Sequence, residues 1–354
     1  MKNYNSEIRI ITPLIIHNGD TYNPLELLSF KENRVSVIRS DKIFSVMYEN
    51  TRNKFFEAVD SMTGREDKDR ERSMQARSLI KDTALGNPDL IEYNADALPG
   101  FTSELNSNPY ANVNMIFKNE IDGMPYIPGS TVKGAIRTAL LESLSKQNNI
   151  DDQGTYKSSE LEMRIMKNDP NAKYQVSDDP FKFLKVSDFT VGSDEKIDII
   201  FGTIRVIGKN KQQKGIPVYT EMTDAECLSM NKYYTLKGSL SIDDEGLRRF
   251  TSERGISEFI SIANIIESLK DFYTPILEND KHPIKKDIIS MATKRSNGNS
   301  SPVRLGRFAQ IESKTFKHSI SDKRKRFRNT YGGVSRAVIS GDNPAGWCVF
   351  SIVD

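Results

Sequence analysis

Apolar and polar positions along this chain alternate in short runs, broken by two well-marked helical stretches. Residues 6–16, Ser-Glu-Ile-Arg-Ile-Ile-Thr-Pro-Leu-Ile-Ile, alternate and then run apolar, which predicts a β-strand interrupted at Pro13. His17-Asn18-Gly19-Asp20 follows as a turn. Val35-Ser36-Val37-Ile38 predicts a second short strand, and residues 41–58 a helix with Ile43, Phe44, Met47, Phe55 and Phe56 apolar. From Asp60 to Asp82 both signs of charge interleave, the pattern of a solvated helix held by local ion pairs. Gly86 to Asn114 lacks periodicity and is rich in turn residues, so irregular loops are expected there. Asn112 to Lys118 reads as a strand.

The pattern is sharpest at Tyr126-Ile127-Pro128-Gly129-Ser130-Thr131-Val132-Lys133-Gly134-Ala135-Ile136-Arg137. Pro128 disfavours helix at Ile127, so the chain arrives extended. Gly129 and Ser130 offer a turn and a helix N-cap. Val132, Ala135, Ile136, Ala139, Leu140 and Leu144 then mark one buried face of a helix. Its first amides have no intrahelical partner and favour an anion. Lys133 and Arg137, four apart, add two cations on one face. Together they suggest a phosphate cradle, although the spacing is not that of a Walker loop. A capped amphipathic helix that binds nothing fits the same pattern.

Further strands are predicted at Phe181 to Asp188, Ile197 to Ile207, Ile216 to Glu221 and within residues 226–242, and a helix over Ile256 to Phe272. Between two of the strands lies a lysine-rich hairpin tip carrying Lys209 and Lys211. Near the C-terminal end, Arg304-Leu305-Gly306-Arg307-Phe308 forms an arginine and glycine loop ahead of a predicted helix through Ile311 and Phe316. Its guanidiniums suit phosphate, and Phe308 either stacks on a base or anchors the helix in the core. Lys323-Arg324-Lys325-Arg326 is the densest basic run. Two strands are expected over Val334 to Phe350, with Trp347 in the core.

Composition narrows the function classes. The 354 residues suffice for two domains, with 37% hydrophobic and 28% charged residues. Net charge is only +2, so any nucleic-acid surface is a local patch. Cys227 and Cys348 have no metal-ligand spacing, and His17, His282 and His318 are scattered. Neither a metal site nor a cofactor is therefore expected. No apolar run approaches a membrane span and no signal-peptide core is evident, which points to the cytoplasm.

The run Ile-Pro-Gly-Ser-Thr-Val-Lys-Gly-Ala-Ile-Arg resembles the signature of the RAMP superfamily, RNA-binding subunits of CRISPR effector complexes. Thr12-Pro13-Leu14 with the His17–Asp20 turn, Val186-Ser187-Asp188, Tyr219 to Glu221, the arginine loop and the terminal Gly346-Trp347 strand are similar to the fifth-subunit family of the type III-A Csm complex. The resemblance implies an α+β fold of tandem ferredoxin-like (RRM-like) domains with helical and loop insertions. Residues 1–222 would form the first, with an insertion at about 60–114, and residues 223–354 the second. It implies a non-catalytic subunit that binds the guide RNA (crRNA), caps the backbone filament at the RNA's 3′ end and aids crRNA maturation. Its partners would be the guide RNA, other Csm subunits (chiefly a backbone RAMP subunit), target RNA indirectly and a recruited host nuclease. The expected RNA contacts are His17, Asn18, Gly129, Ser130, Thr131, Lys133, Arg137, Lys209, Lys211, Arg304, Gly306, Arg307, Phe308, Lys323, Arg324 and Arg326. A type III-B (Cmr) RAMP subunit, a target-cleaving backbone RAMP, and a guide-processing endoribonuclease using His17 or His318 are the alternatives.

Overall fold

The computed structural model describes residues 1–62, 66–108, 111–150, 158–192, 195–208, 212–228, 232, 234–278, 298–309, 311–314, 336–339 and 343–353. Lys209, Lys211, His282, His318, Lys323, Arg324 and Arg326 lie outside these residues.

The first sheet is antiparallel. Its strands, in spatial order, are β11 (Ser300–Arg304), β13 (Trp347–Val353), β1 (Lys2–Ile10), β10 (Tyr234–Ile242) and β7 (Leu184–Val186). In β1, Ser6, Ile8 and Ile10 are buried while Glu7 and Arg9 are half-buried, the alternation that one covered face demands. Two helices cover that face: α5 (Gly129–Asn148), through Val132, Ile136 and Leu140, and α8 (Ile262–Glu278), through Ile265, Leu269 and Phe272. The path β1-α5-β7-β10-α8-β13, with β13 beside β1 and β10 beside β7, is the ferredoxin-like β-α-β-β-α-β plan.

The second sheet runs β2 (His17–Tyr22), β6 (Val113–Ile116), β9 (Gln213–Thr223), β8 (Ile199–Ile207), β5 (Ile91–Ala97), β4 (Arg34–Ile38) and β3 (Leu27–Lys31). A further strand, β12 (Arg336–Ile339), also pairs with β8. The β5–β8 and β6–β9 pairs are parallel. The architecture is thus α+β with two curled sheets, consistent with tandem ferredoxin-like domains. Strands from both 1–222 and 223–354 enter the first sheet, because β1 lies between β10 and β13. Periodicity locates strands but carries no information about which of them pair.

Several local expectations are corrected. Among the described residues between Gly86 and Asn114 lie β5, helix α4 (Phe101–Ser107) and the start of β6. Ala95 and Ala97 carry the buried side of β5, so its apolar period is muted. The charged helix is α3 (Glu66–Gly86), and it is not merely solvated: Ala76, Ile80 and Ala84 are buried. Buried Arg77 donates to the carbonyls of Leu27 and Leu105, each at 2.7 Å, tying α3 to β3 and α4. The expected helix over 41–58 is two, α1 (Ser40–Val46) and α2 (Glu49–Asp60). His17–Tyr22 is a strand with an irregular register rather than a turn. A further helix, α7 (Asp244–Arg254), begins where the Asp243 side chain accepts from the Gly246 amide at 3.2 Å and ends at left-handed Gly255. Among the described residues no helix is long and apolar enough to cross a membrane.

Candidate nucleic-acid groove

The central helix begins two residues earlier than expected. Pro128 occupies the N-cap position, so α5 starts at Gly129 and exposed Ser130 lies within the first turn. The Gly129 amide donates to the Asp188 carboxylate at 2.7 Å. A protein carboxylate therefore already holds the first amide and meets the positive end of the helix dipole. A Cβ on Gly129 would stand 2.2 Å from the Val186 carbonyl oxygen and 2.6 Å from that of Ser187. Glycine is required here by close packing on the end of β7, not to admit an anion.

Lys133 and Arg137 flank this end of the helix. The Arg137 guanidinium bonds Glu162 at 2.6 Å and Asp179 at 2.8 Å, and lies 4.4 Å from the centre of the Phe181 ring. Arg137 is thus a clamp between α5 and the helix α6 (Ser158–Lys167) that carries Glu162. Lys133 shares this neighbourhood: burial lowers its pKa, Asp179 opposes that, and Arg137 adds to it.

The opposite flank of α5 is open. Thr131, Gly134, Ala135 and Thr138 form one wall of a cavity of about 480 Å³. The facing wall is His17 and the loop after β11, with Arg304, Gly306 and Arg307, and Lys314 lies beside them. Among the described lining residues there are three basic side chains, Arg304, Arg307 and Lys314, and no carboxylate. A Cβ on Gly134 would meet nothing within 4 Å.

The loop is fixed by backbone. Gly306 has φ +87° and a Cβ there would be 2.4 Å from the Ile15 carbonyl oxygen, so only glycine fits. The Arg307 amide donates to that same Ile15 oxygen at 3.0 Å, and the Leu305 amide to Gly346 at 2.8 Å. Arg304, expected as an exposed phosphate fork, is only 2% exposed; its Nε donates to the Ala345 carbonyl at 3.1 Å and its guanidinium lies 5.1 Å from the Trp347 ring centre. Lys314 donates to the Arg307 carbonyl at 2.8 Å. Burial, then the Arg304 and Arg307 guanidiniums, lower its pKa. Like charges held together in this way gain from a bound polyanion, which relieves their repulsion.

His17 sits between the loop and the second sheet. Its Nε2 lies 2.9 Å from Thr220 Oγ1 and its Nδ1 2.8 Å from Arg307 Nη1. Burial, and secondarily Arg307, hold its pKa down to about 4, so the ring is neutral near pH 7. The native state therefore refuses a proton that the unfolded chain accepts near pH 6.5. The stability this contributes is present above pH 6.5 and lost as pH falls towards about 4. In thermal melts, the wild-type advantage over His17→Asn is expected to shrink across that window; a constant difference would refute the depressed pKa.

Phe308 packs edge-on to His17, with ring centres 6.0 Å apart, and against the apolar cluster of Ile15, Ile116 and Met222, so it anchors the loop. Asn18 bonds locally to Asp20. Behind His17, fully buried Glu221 accepts from Tyr22, Tyr93 and Lys118 and, through its other oxygen, from the Ile116 amide at 3.1 Å. Burial, then Glu221, push both phenols' pKa values up.

The structure thus brings together His17, Thr131, Arg304, Gly306 and Arg307, and sets Lys133 and Arg137 outside the cavity lining. It adds Gly134, Thr138 and Lys314. Thr131, Gly134 and Thr138 follow helical spacing on the side of α5 away from its apolar positions, a signal present in the sequence. Nothing local marked Lys314.

A ferredoxin-like sheet whose central helix faces a glycine-hinged basic loop defines a class, and the chain belongs to it: the RAMP superfamily, whose family model matches residues 7–300. Among curated proteins it is similar to the "CRISPR system Cms protein Csm5" of Streptococcus thermophilus, 26% identical over 216 residues. That alignment covers 60% of this chain and 58% of the relative's length. Among solved structures it is similar to a chain in the cryo-EM structure of the Csm–crRNA–target RNA ternary complex of a type III-A CRISPR–Cas system. There the TM-score is 0.68 at 17% identity, with 99% of this chain and 100% of that chain covered. It is similar also to the crystal structure of T. onnurineus Csm5, with TM-score 0.65, 18% identity, and 97% and 99% covered. At these identities the structural likeness shows the fold.

Proposed function

We propose that this chain is a Csm5-type subunit of a type III-A effector complex and that it holds the guide RNA along the groove beside α5 without cutting it. The observation that carries the reading is the groove itself, where a small-residue helix face opposes Arg304, Arg307 and Lys314. Cations without a carboxylate suit an RNA backbone, and the single-stranded guide presents one phosphate per nucleotide. Both His17 ring nitrogens are engaged by protein, which leaves no free base for RNA cleavage there. The resemblance to Csm5 supports the finer assignments: a cap at the 3′ end of the guide, a part in its maturation, contact with a backbone RAMP subunit and target RNA, recruitment of a nuclease, and work in the cytoplasm.

Gly134 separates binding from folding. In Gly134→Leu a better helix former replaces glycine at an exposed position, a gain of roughly 0.8 kcal/mol. The same side chain projects into the groove. RNA affinity should fall at least about tenfold, the equivalent of about 1.4 kcal/mol, with an unchanged or raised melting temperature. Unaltered affinity in a folded Gly134→Leu protein would place the RNA elsewhere.

A further inference from the structure

Arg307 is an exposed cation of the groove, carried on a glycine-hinged turn. A long side chain there would ordinarily sample many rotamers. Here it is held: Nη1 lies 2.8 Å from His17 Nδ1. A guanidinium only donates, so Nδ1 must be the bare nitrogen and the ring proton must sit on Nε2. That proton points to Thr220 Oγ1 at 2.9 Å, and the Thr220 hydroxyl donates in turn to the Glu221 carbonyl at 2.7 Å. The donors run one way, from Arg307 through His17 and Thr220 into β9. Thr220 and Glu221 are both fully buried, so the series ends in rigid sheet. His17 uses one Arg307 donor, and a guanidinium has five.

We propose that His17 is a positioning residue for RNA binding: it fixes Arg307 over the groove in the pose that meets a phosphate, and does not itself contact RNA. The inference rests on the reading of the groove as the RNA site. Ordering Arg307 before the ligand arrives removes part of the entropic cost of binding, which is worth about tenfold in affinity.

A double-mutant cycle on the full-length protein tests it, with a short labelled single-stranded RNA as probe and a salt titration for each variant. His17→Gln sets its amide near the Nε2 position, keeping a partner for Thr220 and losing the acceptor for Arg307. His17→Asn sets an acceptor near the Nδ1 position and keeps Arg307. The expected result is about tenfold weaker binding for His17→Gln and a smaller loss for His17→Asn. In an Arg307→Ala background, His17→Gln should cost less than about twofold more. A neutral ring releases no counterions, yet His17→Gln should lower the salt slope towards that of Arg307→Ala, by up to roughly 0.7. If His17→Gln does not fold, His17→Phe takes its place in the cycle, since it retains a ring and removes both nitrogens. Equal losses in both backgrounds, or an unchanged salt slope, would overturn the positioning role while leaving the groove as the RNA site. Wild-type affinity in Arg307→Ala would overturn both.

Discussion

Gly129→Ala is expected to destabilise the protein by about 2–5 kcal/mol. The methyl group would meet the Val186 and Ser187 carbonyl oxygens at 2.2 and 2.6 Å. Both are backbone atoms that cannot swing aside, so α5 must move off the end of β7. Overpacking of this kind costs roughly 1–3 kcal/mol and sometimes more. The same shift pulls the Gly129 amide from Asp188, which adds the loss of a helix cap, about 0.5–2 kcal/mol. Domain stabilities are only about 5–15 kcal/mol, so the variant should show a much lower urea midpoint. Gly134→Ala, on the same helix with nothing near its Cβ, should be neutral or stabilising. A Gly129→Ala midpoint equal to wild type would mean that α5 does not seat on β7 as described.

Arg307→Glu is expected to weaken RNA binding by about a hundredfold or more. A charge-assisted bond to phosphate contributes roughly 1.5–3 kcal/mol, and one decade of affinity is about 1.4 kcal/mol. Reversal removes that bond and adds repulsion. It also sets a carboxylate beside Lys314 and Arg304, which it would neutralise, so the groove loses more than one cation's attraction. The salt dependence should flatten together with the affinity, since fewer counterions are released. Lys133→Glu changes charge by the same amount beside Arg137 and Asp179, outside the cavity lining, and should have a smaller effect. Filter binding over a salt series compares the two; equal losses would return the site to the helix N-terminus.

The fold was legible where one face of an element carries a clear period. α5, β4, β8 and the C-terminal strands follow their apolar positions closely because burial fixes the phase. β5 and the buried face of α3 escaped, since mostly alanines, with Ile80 and one buried arginine in α3, do there what larger apolar residues do elsewhere. Helix α7 could have been found from Asp243 and Gly255, which bracket it as cap and stop. The site was half legible. The motif, the His17 segment (though read as a turn) and the arginine loop were each visible, but that they face one another is set by pairings across hundreds of residues. Lys133 and Arg137 lie outside the cavity lining for a simple reason: the anion their helix end meets is Asp188, from the chain itself, and Arg137 is drawn to Glu162 and Asp179. Spacing shows which residues share a face, not which neighbour that face meets.

The position of β1 bears on how the protein is made. Its nine residues leave the ribosome well before their partners, β10, which begins at Tyr234, and β13, which begins at Trp347. At roughly 5–20 residues per second, β1 waits on the order of ten to fifty seconds with both edges bare. An alternating β segment with unpaired edges left open that long is a target for chaperones and for pairing with other nascent chains. Moving the coding sequence of β1 to follow β13 would shorten the wait, and the yield of soluble protein from rapid synthesis should rise accordingly.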